Sequence, residues 1–166
     1  MRRAAPILLL LLLVSALAAL PACGSSSSGS PDSGSNGGAD ASLDATAQAE
    51  AALSSLFMAW SAMDQPSAEA LLPADRQGLS WGFDALERVE FGPMIPYPEG
   101  VRGYLTTGRG SATGVAPADV RCFRADVTFH YLPGHDGPSP DGETLEWMWF
   151  LERGSDGRWL VSDWGY

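Results

Sequence analysis

Two cysteines, Cys23 and Cys122, are the residues whose types and spacing most clearly suggest chemistry. A cysteine thiolate can be acylated, can pair in a disulfide, can bind a metal or can act as a nucleophile. Cys23 follows two basic residues, Arg2 and Arg3, an apolar run over residues 4–20, and Pro21-Ala22. This order of basic, apolar and small residues is that of a secretory signal peptide. The sequence therefore predicts export across a membrane and cleavage close to Cys23.

The stretch Leu20-Pro21-Ala22-Cys23 resembles the lipobox of bacterial lipoprotein signal peptides. The resemblance implies removal of residues 1–22 and attachment of diacylglycerol, with palmitate-type chains, to the sulfur of Cys23. Two or more acyl chains anchor a protein stably. We therefore expect a lipid-anchored protein of the cell envelope, facing outside the cytoplasm. An uncleaved anchor and ordinary secretion are the alternatives, although the apolar run is short of the roughly 20 residues of a membrane-spanning helix.

Residues 23–42 are predicted to form the lipidated cysteine and a flexible tether. The segment 24–38 consists almost entirely of Ser, Gly, Pro, Asp and Asn, without aromatic or β-branched residues. Such a segment buries too little apolar surface to offset its loss of conformational entropy, so we expect it to be disordered. Residues 43–166 are expected to form one folded domain of ordinary size.

The charge of the chain limits its partners. Loss of Arg2 and Arg3 leaves eight of ten basic residues against 20 acidic ones, so the net charge changes from −10 to −12. An acidic domain repels nucleic acid and anionic headgroups. We expect no nucleic-acid partner, and a membrane contact through the lipid only. Once Cys23 is lipidated, Cys122 lacks an intramolecular partner, and it is expected to be half-buried between Arg121 and Phe123.

Hydrophobic periodicity predicts helices in the first half of the domain. Residues 43–64 carry an apolar face at three- and four-residue steps, made by Leu53, Leu56, Phe57, Trp60 and Met63. Short helices are predicted over 66–72, where Pro66 takes the favoured first-turn position, and over 74–79. Each of these helices precedes the first predicted strand.

Period-two alternation predicts strands in the second half. They cover about 86–95, 122–131, 143–153 and 158–164, and Asp156-Gly157 marks the last hairpin. The Gly/Pro-rich stretch 96–117 is predicted to be irregular, with a short strand over 101–107. Helices followed by an antiparallel meander indicate an α+β domain, with its helices packed on one face of a curved sheet.

The element order and the ending Trp159-Leu160-Val161-Ser162-Asp163-Trp164 resemble the nuclear-transport-factor-2-like superfamily over residues 43–166. That resemblance implies a cone, in which the helices close a bent sheet over a central cavity. The superfamily includes isomerases, dehydratases and cyclases as well as binding domains, so the fold alone leaves function open.

Members similar to ketosteroid isomerases use an Asp base and a Tyr hydrogen-bond donor in the cone. By that resemblance the weak catalytic candidates are two carboxylates and three phenols: Asp64, Asp163, Tyr97, Tyr104 and Tyr131. Asp163 is in phase with Trp159 and Val161, so it is predicted to face the cavity. Solvated or backbone-bonded carboxylates are the simpler interpretation of both Asp residues, and no residue matches a catalytic motif of the family.

Other candidate chemistry is weaker. His130 and His135, with Asp136, could bind a metal, but two histidines without a third spaced ligand are weak evidence for a zinc site. Neither a metal nor another cofactor is therefore predicted. Cys122 could be a nucleophile, but no neighbouring His or basic pair that would lower its pKa is evident in the sequence. A non-catalytic binding or protein-interaction module is therefore favoured, with a small-molecule isomerase or lyase as the alternative.

Aromatic and apolar residues suggest two kinds of partner. Six tryptophans lie between residues 60 and 164, where they form either an ordinary core or a cavity for an apolar ligand. A second apolar set is predicted on the outer face of the sheet: Met148, Phe150, Leu160, Trp164 and Tyr166. This set would pair with a second copy or with another envelope protein, unless the segment 96–117 covers it.

Overall fold

The computed structural model describes residues 37–79, 81–135, 137 and 139–165, with side chains from Ser42 onward. The predicted signal peptide, Cys23, Asp136 and Tyr166 lie outside these residues. The fold is α+β, as the sequence predicted, with helices packed against a strongly curved antiparallel sheet.

Helix α1 spans Gly37–Ser61 and provides one wall of the core. It begins six residues before the predicted start, because Ala39 and Ala41 extend a segment rich in the best helix former. The predicted apolar face is confirmed: Leu53, Leu56, Phe57 and Trp60 are buried, and Met63 packs against the same core.

The helices that follow α1 are shorter than predicted. Helix α2 spans Gln65–Glu69, and Asp64 caps it by accepting a hydrogen bond from the backbone N–H of Ser67. A single 3₁₀ turn, Ala74–Arg76, replaces the predicted third helix.

The sheet contains five strands: β1 (Leu86–Phe91), β2 (Ile95–Pro96), β3 (Val120–Tyr131), β4 (Thr144–Arg153) and β5 (Trp159–Gly165). Their order is β1-β3-β4-β5, with β2 also paired to β3. All pairings are antiparallel. The inner face of β3 carries the alternating residues that the sequence predicted, from Phe123 to Tyr131, all of them buried.

The stretch 96–117 is largely helical, which corrects the predicted irregular segment and its strand over 101–107. Helix α3 spans Pro98–Thr106 and α4 spans Arg109–Thr113. Pro98 occupies the first turn of α3, where a missing N–H costs nothing. The ring of Tyr104 stacks on Phe150 at 4.4 Å, so α3 lies on the outer face of the sheet.

An irregularity in β5 changes which side chains face inward. Val161 pairs with Leu151, and Asp163, two residues further along β5, pairs with Phe150, which is only one residue away from Leu151 in β4. Ser162 is therefore the extra residue of a β-bulge, and a bulge re-aims the side chains that follow it. Trp164 consequently joins the inner core, and Asp163 lies on the outer face.

Among the described residues, no helix is both long enough and apolar enough to cross a membrane.

Candidate functional site

An aromatic cavity of about 350 Å³ lies between the inner face of the sheet and the chain that leads into β1. Most of its wall is aromatic, with Leu79, Ala85 and Leu86 completing the apolar part. The aromatic residues are Trp60, Trp81, Phe129, Tyr131, Trp147 and Trp164. None of the described residues that line this space has a charged side chain. We call this space the aromatic cavity.

The rings around the aromatic cavity are packed against one another. Trp60 meets Trp81 edge to face at 4.9 Å, whereas Trp81 and Trp164 are stacked at 5.9 Å with 15° between their planes. These are the two arrangements that aromatic quadrupoles favour. The guanidinium of Arg76 lies 5.5 Å from the ring centroid of Trp164, at the margin of the cluster. These contacts support the rings against one another around the cavity.

Several polar atoms beside the aromatic cavity have no hydrogen-bond acceptor among the described residues. They are the indole N–H groups of Trp60, Trp81 and Trp147 and the hydroxyl of Tyr131. Each of these side chains is more than nine-tenths buried. A buried donor without a partner costs roughly 1–3 kcal/mol. Donors in an apolar wall are the usual device by which a pocket orients a ligand.

The carboxylate candidates for catalysis do not enter the aromatic cavity. Asp64 is exposed at the start of α2, and its hydrogen bonds from Ser67 lower the pKa of its carboxyl. Asp163 forms an ion pair with Arg76 on the outer side of β5. The prediction that Asp163 faces the cavity is wrong, because the bulge at Ser162 reverses the alternation after Val161.

The tyrosine candidates are divided between the two faces. Tyr131 lines the aromatic cavity, whereas Tyr97 and Tyr104 line a groove of about 430 Å³ under α3 that Asp163 also borders. The structure therefore brings no Asp and Tyr together in the aromatic cavity, within the part of the chain that it describes.

A polar chain fixes Tyr104. Its hydroxyl lies 2.6 Å from Oε1 of Glu152 and 3.0 Å from Oγ of Ser162, and Arg109 Nε donates to the same Oγ at 2.9 Å. Each hydroxyl carries one hydrogen, so every group is satisfied when Ser162 donates to Tyr104 and Tyr104 donates to Glu152. Burial and the neighbouring Glu152 carboxylate raise the pKa of Tyr104 far above its usual range.

The remaining candidates lie apart from the aromatic cavity. His130 is half-buried on the outer face, with Nε2 3.6 Å from Glu90 and Nδ1 4.0 Å from Asp141, and His135 is exposed. Cys122 is buried rather than half-buried, because α3 covers it. Burial raises the pKa of its thiol to about 12, which keeps the thiol protonated and unreactive at neutral pH.

The predicted outer apolar patch is not one surface. Met148 and Phe150 are half-buried and line the groove under α3, and Trp164 belongs to the inner core. Leu160 is half-buried on β5, and Tyr166 lies outside the described residues. The alternative that the segment 96–117 covers this face applies to Phe150, whose ring stacks on Tyr104.

Comparison of the chain with protein-family models, with characterised proteins and with solved structures gave no match.

The sequence analysis identified the six tryptophans but did not identify the residues before β1 that complete the cavity wall. Leu79, Trp81, Gly82 and Ala85 line it from the irregular segment before β1, where strand periodicity carries no information. The Gly82 backbone is left-handed, with φ of 63°. A glycine directly after a tryptophan was the available signal of a turn at that point.

Proposed function

We propose that this chain is a lipid-anchored binding module of the cell envelope whose aromatic cavity takes a small, uncharged, largely apolar ligand bearing hydrogen-bond acceptors. The observation that carries the proposal is the cavity of about 350 Å³, whose described lining is aromatic and apolar and contains no charge. Ligand pockets of this type hold about 300–1,000 Å³ and are lined mainly by apolar and aromatic side chains.

The chemistry of the walls selects the ligand. A buried charge without a partner is strongly unfavourable, so the uncharged lining disfavours carboxylates and amines. The unpaired donors of Trp60, Trp81, Trp147 and Tyr131 favour a ligand with acceptor atoms such as a carbonyl oxygen. These N–H groups are closed to water, so a bound acceptor meets them when the indole rings turn towards it.

The same geometry supports a binding role over catalysis. Proton transfer needs a titratable base within hydrogen-bond reach of the bound substrate. No carboxylate, imidazole or thiol belongs to the described lining of the aromatic cavity. The isomerase or lyase alternative therefore has no candidate base among the described residues that line the aromatic cavity.

The anchor and the superfamily are parts of the same proposal. The basic and apolar start of the chain and Cys23 support lipidation and an extracytoplasmic location. The order of long helix, short helices and curved antiparallel sheet supports membership of the nuclear-transport-factor-2-like superfamily. In this arrangement the ligand is held at the surface of a membrane.

Matched naphthalene probes test the ligand. The unit Ser35–Tyr166 is compact and contains the hydrophobic core, so it serves as the sample. Calorimetric titration should show that 2-acetylnaphthalene binds roughly ten-fold more tightly than 2-ethylnaphthalene, because one net hydrogen bond contributes about 0.5–1.5 kcal/mol. The charged 2-naphthoate should bind more weakly than either probe.

The indole resonances locate the ligand and supply the controls. In ¹⁵N spectra the N–H signals of Trp60, Trp81 and Trp147 should shift downfield with the ketone, while that of Trp159 should not move. Ala85→Leu should fill the cavity and weaken binding, whereas Ala51→Leu, on the exposed side of α1, should leave it unchanged. Absence of saturable binding by every probe would contradict the proposal.

A further inference from the structure

Arg121 differs from most arginines of this acidic chain. Of the eight described arginines, six lie within 4 Å of a carboxylate oxygen: Arg76, Arg88, Arg109, Arg124, Arg153 and Arg158. The other two, Arg102 and Arg121, have no such partner among the described residues. Arg102 is exposed and is neutralised by water and counterions, but Arg121 is half-buried. Its positive charge is therefore poorly compensated.

Neutral groups hold the Arg121 guanidinium in place. Nε donates to Thr46 Oγ1 at 3.1 Å, and Nη1 donates to the carbonyls of Ala118 and Val120 at 3.0 and 2.7 Å. The guanidinium carbon lies 5.3 Å from the ring centroid of Trp159. Nη2 makes no hydrogen bond to any described residue. It is also not one of the buried polar atoms, so it remains accessible from outside the fold. The side chain is thus fixed with one nitrogen available.

The electrostatic surroundings of Arg121 disfavour its positive charge and therefore favour binding of an anion beside it. Burial lowers its pKa, and the charge of Arg153 lowers it further. Asp119, the one carboxylate that acts in the opposite direction, is engaged by Arg153, whose Nη2 lies 2.6 Å from Oδ1. At this end of the sheet Asp119 therefore lies near two guanidinium groups but bonds only that of Arg153.

A pocket of about 310 Å³ adjoins Arg121, between α1, α3 and β3. Its wall is mostly apolar, and its principal members are Pro96, Pro98, Val101, Pro117, Val120 and Phe123. Arg121 provides the only charged group of the described lining. The pocket is separate from the aromatic cavity, with which it shares no lining residue.

We propose that this pocket is a second binding site, which takes a small monocarboxylate with an apolar body. The carboxylate accepts hydrogen bonds from Nη2 of Arg121, and the apolar body lies against Pro98 and Val101, which line the pocket and retain exposed surface. A charge-assisted bond to a fixed guanidinium is short and about twice as strong as a neutral one. This proposal is independent of the ligand in the aromatic cavity.

Two probes that differ only in their charged group test the site on the unit Ser35–Tyr166. Calorimetric titration with 4-phenylbutyrate should give saturable binding, and 4-phenylbutan-1-ol should bind at least ten-fold more weakly. Arg121→Gln should weaken binding of the carboxylate by ten-fold or more, and Arg121→Lys, which retains the charge, should weaken it less. Arg102→Gln removes the same charge from an exposed position and should leave the affinity within two-fold.

A second measurement keeps the test independent of the variants. In the unsubstituted protein, phenyl protons of the carboxylate should show nuclear Overhauser effects to the methyl groups of Val101. Equal affinity for the acid and the alcohol, equal losses in the two Gln variants, or Overhauser effects to the indole protons of Trp60 and Trp147 would each overturn the proposal. Absence of saturable binding by 4-phenylbutyrate would overturn it as well.

Discussion

The hydroxyl of Tyr104 lies 2.6 Å from Oε1 of Glu152, and this pair attaches α3 to the outer face of β4. The contact is continuous with Ser162 and Arg109, so one polar chain joins α3, α4, β4 and β5. Ser162 is the only buried polar or charged residue within the described part of the chain. The outer helices are therefore held by directional bonds as well as by apolar contact.

Tyr104→Phe should destabilise the domain by about 1–3 kcal/mol, because Glu152 and Ser162 lose a buried partner. The measurement is urea unfolding of the unit Ser35–Tyr166. Tyr97→Phe is the matched control, since its hydroxyl makes no hydrogen bond to a described residue, and it should change stability by less than about 0.5 kcal/mol. Equal stability of the two variants would show that the polar chain does not hold α3.

Phe150→Glu should destabilise the fold rather than disrupt an association, because the Phe150 ring stacks on Tyr104 beneath α3. We expect a loss of about 1–3 kcal/mol in thermal or urea unfolding, with no change in oligomeric state below the transition. Ile95→Glu, at an apolar residue that is 53% exposed, is the control and should be nearly neutral. Dissociation of an oligomer by Phe150→Glu with unchanged stability would restore the outer-face interface.

Ionisation of the Cys122 thiol should lower the stability of the domain at alkaline pH. The thiol titrates near pH 9 in the unfolded chain and at about pH 12 in the fold, because burial raises its pKa. Between these values the unfolded chain binds fewer protons, so the free energy of unfolding decreases as pH rises, by up to about 1.4 kcal/mol per pH unit. Cys122→Ala should flatten this slope.

The comparison is best made between pH 8.5 and 10, because Tyr104, whose pKa is also raised, contributes to the loss above about pH 10. Cys122 is the only thiol of the unit Ser35–Tyr166, so its reaction with iodoacetamide can be followed directly. We expect alkylation only under unfolding conditions. Rapid alkylation of the native protein at neutral pH would contradict the buried, protonated thiol.

Cys23→Ala should abolish incorporation of labelled fatty acid and release the protein from membranes, because the sulfur of Cys23 is the proposed acylation site. The measurement is membrane fractionation with mass analysis of the N-terminal peptide. Cys122→Ala is the matched control and should leave both results unchanged. A wild-type N-terminus without added acyl mass would show that the chain is not lipidated.

The parts of the fold that follow from periodicity were predictable from the sequence. In β4, Trp147, Trp149 and Leu151 alternate in the printed sequence and are buried on one face. In β5 the same reasoning failed after Val161, because a bulge is set by pairing with β4 and leaves no local mark. Both errors about inner and outer residues, at Asp163 and Trp164, have this single cause.

The helices α3 and α4 were missed for a different reason. The segment that contains them is rich in Gly and Pro, which argue against helix in isolation. Packing against the sheet overrides that preference: a side chain at Gly100 would contact Cys122 Sγ at 2.8 Å, and one at Gly110 would overlap the Tyr104 ring. These glycines permit close approach of the helices. The pocket beside Arg121 could not be predicted, because α3 forms part of its wall.

The bulge at Ser162 places two successive side chains, Ser162 and Asp163, on the outer face of β5, while Val161 and Trp164 on either side of them face inward. Without the bulge the same residues would alternate, so the Asp163 carboxylate would turn towards the Trp60 ring and the Trp164 indole would leave the core. Deleting Ser162 would remove the bulge and still keep Asp163 outside and Trp164 inside, because the alternation would then continue directly from Val161. The extra residue therefore gives β5 two outward polar side chains in place of one, without displacing its last tryptophan.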